Sequence, residues 1–321
     1  LDMKRAEDCE LFATLIGQAD VYIQNFRPGT ATRLGAGPER LLELNPQLVY
    51  CSISGFGADG PYAERPSYDS VAQALSGFLS VTVDYRRPQF LGPALADAIT
   101  GLYASQGILA ALVQRGRRGR GCHLEISMLE AMAHFAIEPF AAFFALGETP
   151  TSADRPRLAQ AYIVHTADER LIAIHLSSLE KFWRGLVAAL EAPELGTDPR
   201  FNPRERRIAE YETLRAELDS RFAQRPLAHW TARLHAEDVP HAPVNRINDV
   251  VRDAQVEHLG IVVPVRTPHS ATHSVRAPWQ FAGQRAHAVS AAPLLDEHGA
   301  AIRGALAGSK AWPEATQAAN S

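Results

Sequence analysis

Leu11, Leu15 and Ile16 recur at helical spacing and stop near Gly17, and Val21-Tyr22-Ile23 then has the length and character of a short buried strand. The pattern repeats. Pro38 stands where it would open a helix carrying Leu41, Leu42 and Leu44, and after Asn45-Pro46 residues 48–53 predict a second strand. Val71, Leu75 and Phe78 predict a helix over residues 67–79, and a longer one, rich in small residues, covers 94–112. The arginine-rich stretch 115–121 reads as a turn. Residues 123–127 then read as a strand that feeds a helix from Met128 to about Leu146. Alternating helix and strand favours a parallel α/β sheet.

Turn formers over 149–156 predict a linker. Beyond it, strands at 161–165 and 171–176 flank an Asp168-Glu169 turn, and helices follow at about 179–190, 205–222 and 227–236. This stretch reads as a smaller α/β domain. Residues 262–281 return to β-like composition with prolines, and the tail after about Ala305 is expected to fray. No internal repeat of useful period is present.

With 46% hydrophobic and 21% charged residues in 321, the chain can bury a substantial core, arranged as one large domain and one smaller. The net charge of −4 has its basic residues scattered, which argues against a nucleic-acid surface. Cys9, Cys51 and Cys122 form no close pair, which suits a reducing cytoplasm and neither a disulfide framework nor a zinc site. No apolar run approaches the roughly 18 to 20 residues of a membrane span, so no membrane partner is predicted. The start at Leu1-Asp2-Met3-Lys4 opens directly into a helical pattern, and it is expected that a longer protein precedes it.

Four features offer chemistry. Gln24-Asn25-Phe26-Arg27-Pro28-Gly29 follows a strand, where open α/β sheets bind ligands; an amide, a ring and a guanidinium there suit an adenine and its phosphates, and equally a plain Pro-Gly turn. Ser54-Gly55-Phe56-Gly57 with Gly60-Pro61 is a glycine loop without a nucleotide fingerprint. Three carboxylates stand out: Asp97 within a small apolar helix, Glu125 on the strand, and Glu130 at the following helix start. A buried acid needs a partner or a task. Glu130 suits either a nucleophile kept ionised by the helix terminus or a capping box with Ser127. The histidines, among them His123, His134, His165, His175, His235 and His241, show no metal-ligand spacing, so no metal is expected. No G-x-S-x-G elbow is present.

The succession from Ala19 to Gly29, then Arg33-Leu34-Gly35, Leu44-Asn45-Pro46 and Ser52-Ile53-Ser54-Gly55-Phe56-Gly57 resembles the family III CoA-transferases, which include formyl-CoA and carnitine CoA-transferases. Tyr68-Asp69-Ser70-Val71-Ala72-Gln73, Asp97 with Gly101, Gly107 to Leu112, Gly119-Arg120-Gly121, Ile126 to Ala131, Ala277-Pro278 and Ala292 to His298 agree in order. The resemblance implies a Rossmann-like large domain preceded by roughly 70 more residues that contribute to the CoA site. Residues 1–155 would be part of that domain, 156–262 the small domain, and 263–321 a return to the large one and a tail. It further implies an interlocked homodimer.

By the same resemblance, Asn25 and Phe26 would hold the adenine end of CoA, Arg33 would pair with a phosphate, and Tyr68 would join them. The family's nucleophilic aspartate is matched to Glu130, with Asp97 and Glu125 as alternatives. The implied reaction moves CoA from an acyl-CoA donor, such as succinyl-CoA, to a small carboxylic acid through a carboxylate anhydride and a glutamyl-CoA thioester. CoA enters as substrate, with no permanently bound cofactor. Arg65, Arg86, Arg155 and His175 are candidates to face a second carboxylate. The α-methylacyl-CoA racemases share these motifs but place a histidine base where Tyr68 stands, paired with an aspartate matching Asp97, and a glutamate that has no counterpart around Ser177-Ser178. A non-catalytic CoA-binding homologue is the third reading.

Overall fold

The computed structural model describes residues 1–90, 92–177, 180–266, 271–285 and 291–308. They divide into two compact units, Leu1–Arg155 and Pro156–Ser321. In the first unit α1 (Ala6–Gln18), β1 (Val21–Gln24), α2 (Thr30–Arg33), α3 (Pro38–Leu44) and β2 (Val49–Ser54) are followed by α4 (Asp69–Leu75), α5 (Leu95–Arg118), β3 (Cys122–Ser127), α6 (Met128–Phe135) and α7 (Ile137–Leu146). The three strands form one parallel sheet in the order β1-β2-β3. Val49 faces Val21 on one side and Cys122 on the other.

Alternation along the strands sends residues to two faces. Val49 and Cys51, with Val21, Ile53, Leu124 and Ile126, pack on Ala104, Ile108 and Ala111 of α5. Tyr50, with Tyr22, packs on Ile16 of α1 and Leu41 of α3. Each buried aliphatic side chain in these layers stabilises the fold by about 1.5–3 kcal/mol. Polar groups fix the layers in place. The Tyr50 hydroxyl donates to the Ala36 carbonyl at 2.7 Å, and Asn45 Nδ2 donates to the carbonyls of Ile16 and Ala19, both at 2.9 Å. Gly121 enters β3 so close to the preceding turn that a Cβ on it would lie 1.8 Å from the Leu48 carbonyl oxygen.

Local chemistry moves several boundaries from their expected places. The helix expected over 67–79 ends at Leu75, because Gly77 adopts φ 83 and only a 3₁₀ turn, Phe78–Val81, continues. The arginines expected in a turn instead form the last turn of α5, where cations complement the helix dipole, and Gly119 at φ 70 closes it. The helix expected over 128–146 is broken at Ala136, and its two halves are bent by 65°. By length and composition α5, which holds an 18-residue stretch of mean hydropathy 1.3, also passes as a membrane-crossing helix, contrary to the expectation, and so does the bent pair α6 and α7 taken together. Small residues dilute the visible apolar run in α5, while its charges sit at the two ends.

The expected linker is partly helical: α8 (Asp154–Ala159) spans the boundary. In the second unit β4 (Ala161–His165) and β5 (Leu171–His175) pair antiparallel around Glu169, whose φ is 56, and β6 (His241–Pro243) completes the sheet. Between them run α9 (Lys181–Ala189), α10 (Pro193–Thr197), α11 (Arg204–Ala209), α12 (Tyr211–Phe222) and α13 (Leu227–Ala236). A break at Glu210 divides the single helix expected over 205–222. Trp183, Leu186, Leu214, Phe222, Trp230 and Leu234 pack on Tyr162, Val164, Ile172 and Ile174 as one core. The chain continues through α14 (Ile247–Val250) and α15 (Ala254–Leu259) into a hairpin of β7 (Val262–Arg266) and β8 (Ala271–Val275). The buried Arg276 ties that hairpin to the end of α15 through the carbonyls of Leu259 and Gly260. The described residues from 263 onward, expected as a return to the large domain and a tail, are grouped with the second unit. Residues 299–308 are helical, and the rest of the expected frayed tail lies outside the described residues.

Two measurements test this packing. Gly121→Ala is expected to destabilise the first unit by on the order of 3 kcal/mol or more, read as a lowered urea midpoint. Burial pushes the Tyr50 phenol up to about 12. An unfolded tyrosine ionises near 10, so Tyr50 stabilises the fold fully below that pH and loses its contribution as pH rises toward 12. Unfolding curves collected from pH 9 upward are expected to decline less steeply for Tyr50→Phe than for the unaltered protein.

Candidate active site

The three strands of the first unit end side by side, and the segments leaving them form a cavity of about 550 Å³. After β1, Gln24 Oε1 accepts the Phe26 N–H at 2.8 Å, which curls Asn25, Phe26, Arg27 and Pro28 across the strand end. After β2, Ser54 Oγ accepts the Gly57 N–H at 3.0 Å and turns the glycine loop. After β3, the Leu129 N–H donates to the Gly55 carbonyl at 3.1 Å and joins the start of α6 to that loop. Gly55 has a steric reason to be glycine: a Cβ there would lie 2.3 Å from the Cβ of Ser67. Ser67 and Tyr68 line the same cavity as Asn25 and Phe26.

Two helix starts complete the cavity. Tyr68, 80% exposed, immediately precedes α4, and Asp97 lies in the first turn of α5. Asp97 was expected to be an acid buried among apolar residues. It is exposed and lines the cavity, because Ala96, Ile99 and Thr100 occupy the inward stripe of α5 and Asp97 falls outside it. Asp69 of α4 reaches across to this helix start, its Oδ1 accepting the N–H groups of Ala96 at 2.7 Å and Asp97 at 3.2 Å. Arg27 and Arg65 bring two guanidinium groups to the cavity, and Arg65 stacks 3.7 Å from the centre of the Tyr62 ring. The Ser67 hydroxyl, also at the cavity, is buried without a hydrogen-bond partner among the described residues.

Asn25, Phe26, Tyr68 and Asp97 thus line one cavity, while Glu130, matched by resemblance to the nucleophile, Glu125 and the expected phosphate partner Arg33 do not. Glu130 stands in the first turn of α6, where Ser127 Oγ accepts its N–H at 3.1 Å and donates to its carboxylate at 2.6 Å. Ser127 thus caps the helix, and the Glu130 carboxylate is held by its hydroxyl and not by its backbone N–H as in the expected capping box. The Glu130 side chain borders a separate, shallower pocket of about 430 Å³ with Glu125, Tyr103 and His134, and Tyr103 Oη lies 2.6 Å from His134 Nδ1. Glu125 also borders a third, smaller pocket that shares Phe26, Arg27 and Pro28 with the first and adds Gly29 and Thr32. Arg33 is exposed on α2 and donates to Thr30 Oγ1 at 2.7 Å.

The other candidates are dispersed. Arg86 is exposed, Arg155 pairs with Glu138 at 3.0 Å, and His175 lies in the second unit against Ser177. Ser178, where a racemase glutamate was sought, lies outside the described residues. No cluster able to hold a metal ion occurs among the described residues. Burial pushes the Cys51 thiol up, away from a reactive thiolate. Sequence reasoning missed Ser67, Asp69 and Thr100. The signals were the Ser-Tyr-Asp run just before a helix and a helix whose preceding residue, Ala94, has no capping side chain.

Comparison with known proteins shows the family. The pattern that defines CoA-transferase family III matches residues 1–299. The chain belongs to CoA-transferase family III. Among its relatives is the acetyl-CoA:oxalate CoA-transferase of Acetobacter aceti, 32% identical over 314 residues, a match that covers 94% of this chain and 78% of that protein. The succinyl-CoA:glutarate CoA-transferase of Mus musculus is 30% identical over 93% of this chain and 69% of its own length. A CAIB/BAIF family protein from Brucella suis, 34% identical, has a similar structure, with a TM-score of 0.82 over 95% of this chain and 80% of that one. As a family III CoA-transferase the chain is an enzyme whose substrates are CoA thioesters. Asn25→Ala and Phe26→Ala are each expected to weaken CoA binding about tenfold in titration calorimetry, the size of one lost hydrogen bond or ring contact.

Proposed function

We propose that this chain transfers CoA from an acyl-CoA donor to a carboxylic acid, with Asp97 as the nucleophile. One observation carries the assignment: of the three candidate carboxylates, Asp97 alone lines the cavity that also holds Asn25, Phe26 and Tyr68. Glu130 retains the part of helix cap, with both its N–H and its carboxylate engaged by Ser127. In this reading Asn25 and Phe26 receive the adenine end of CoA. Arg33, on the helix that borders the adjoining pocket through Gly29 and Thr32, pairs with a phosphate.

The Asp97 carboxylate attacks the thioester carbonyl, CoA leaves as thiolate, and a mixed anhydride remains. The thiolate attacks the aspartyl carbonyl of that anhydride, releasing the donor acid as a carboxylate and leaving an aspartyl-CoA thioester. The acceptor carboxylate attacks this thioester and expels CoA thiolate a second time. The thiolate then attacks the acceptor's carbonyl, and the new acyl-CoA departs with Asp97 restored. Arg27 and Arg65 keep the cavity attractive to anionic substrates, and a dicarboxylate acceptor paired with succinyl-CoA suits them. The relatives' names support that class, being transferases of oxalate and of glutarate. A homodimer with a Rossmann-like large domain, working in the cytoplasm, belongs to the same proposal.

Exchange of labelled CoA between succinyl-CoA and a panel of carboxylic acids tests the assignment. Asp97→Ala is expected to lower the rate at least about a thousandfold, the loss typical of a missing nucleophile, and Glu130→Gln to keep it within about threefold. The reverse ranking would return the nucleophile to Glu130. Deuterium entering the α-position of a 2-methylacyl-CoA from solvent, without CoA exchange, would favour the racemase reading instead.

A further inference from the structure

The start of α5 poses a problem that its own residues do not solve. The first N–H groups of a helix have no partner within it, and the residue just before the helix normally turns a side-chain oxygen back onto the second or third of them. Here that residue is Ala94, which has no such oxygen. The N–H groups in question belong to Ala96 and Asp97, and both are taken by a single oxygen of Asp69, Oδ1, at 2.7 and 3.2 Å. The second oxygen is engaged too, since Gln73 Nε2 donates to Oδ2 at 2.6 Å and Gln73 is buried. Asp69 therefore has both oxygens held, one by its own helix and one by the neighbour.

This arrangement places a second carboxylate beside the backbone of the very residue proposed as nucleophile, which like charges oppose. Serine, threonine or asparagine at position 94 would cap α5 without that cost. What the carboxylate from α4 adds is a link between elements. Tyr68 and Asp97 reach one cavity from the starts of two different helices, and Asp69 follows Tyr68 directly while binding the N–H of Asp97. A cap at position 94 would satisfy α5 but leave its start free to shift relative to Tyr68.

We infer that Asp69 is a positioning residue for the transfer reaction, fixing the start of α5 against α4 so that the Asp97 carboxylate meets the thioester at the angle attack requires. The inference rests on the assignment of Asp97 as nucleophile. Asp69 itself does not line the cavity and touches no substrate in this reading. Its effect should therefore appear in turnover and not in affinity, because misplacement by about 1 Å can cost on the order of a hundredfold in rate. Asparagine should replace it well. Its carbonyl oxygen accepts the same two N–H groups, and Gln73 can turn its amide over to accept from the new Nδ2.

The experiment compares Asp69→Ala, Asp69→Ser, Asp69→Asn and Asp97→Asn in the CoA-exchange assay, with melting curves and CoA affinity measured on each. Asp69→Ala and Asp69→Ser are expected to lower kcat on the order of 100-fold and to leave KM for the acyl-CoA and the Kd for CoA within about twofold. Asp69→Asn is expected to stay within about fivefold of the unaltered enzyme. If Asp69→Ala does not fold, the contrast between serine, too short to reach both N–H groups, and asparagine decides the matter. Equal kcat in the serine and asparagine variants would overturn the inference, as would losses that follow only the folded fraction. An inactive Asp97→Asn beside a fully active Asp69→Ala leaves the nucleophile standing and removes the positioning role. An active Asp97→Asn removes the nucleophile and the inference with it.

Discussion

The parallel register that sets Val49 between Val21 and Cys122 governs everything placed around it in the first unit. In a parallel sheet all strands run the same way, so their carboxyl ends emerge along one edge and the segments that follow are brought together without further instruction. A slip of one residue between β2 and β3 would exchange the faces of His123, Leu124 and Glu125, and would push the apolar side chains now packed on α5 to the other side. Gly121 guards that register. With the Leu48 carbonyl where a side chain would have to go, β3 enters the sheet beside β2 only because position 121 has none.

The site built on that edge combines groups that folding alone does not favour. Arg27, Arg65, Asp97 and an unpaired Ser67 hydroxyl collect around an open volume of about 550 Å³, while the adjoining apolar residues are buried against α5. The two acids that start helices show how place and not residue type divides the labour. Glu130 has its carboxylate taken by Ser127 and stabilises its helix. Asp97 leaves its helix start to be satisfied from outside by Asp69, and Asp97 itself lines the cavity.

Much of this was legible in the residues. Strand and helix alternation gave the sheet, because short β-branched and aromatic runs separated by helices leave few other arrangements. Asn25 and Phe26 stood out by their place after a strand, Asp97 as an acid within a small apolar helix, and Tyr68 by resemblance. The rest depended on tertiary contacts. Glycine 77 and Ala136 break helices that apolar spacing alone carries through, and the arginines after Gln114 belong to a helix end that composition makes look like a loop. Choosing among Asp97, Glu125 and Glu130 was beyond the sequence for a physical reason. All three sit near plausible termini, and only the cavity walls, contributed by residues up to about a hundred positions apart in the chain, distinguish them. Asp69 was invisible because its partners lie 27 and 28 residues away.

In the proposed reaction the acyl group and then CoA pass through the side chain of Asp97. Its most direct test is to mix the protein with succinyl-CoA, add hydroxylamine, and map the modified peptide by mass spectrometry. The account predicts a hydroxamate on the peptide that contains Asp97 and none on the peptide that contains Glu130. A hydroxamate at Glu130 or Glu125 with Asp97 unmodified would contradict it.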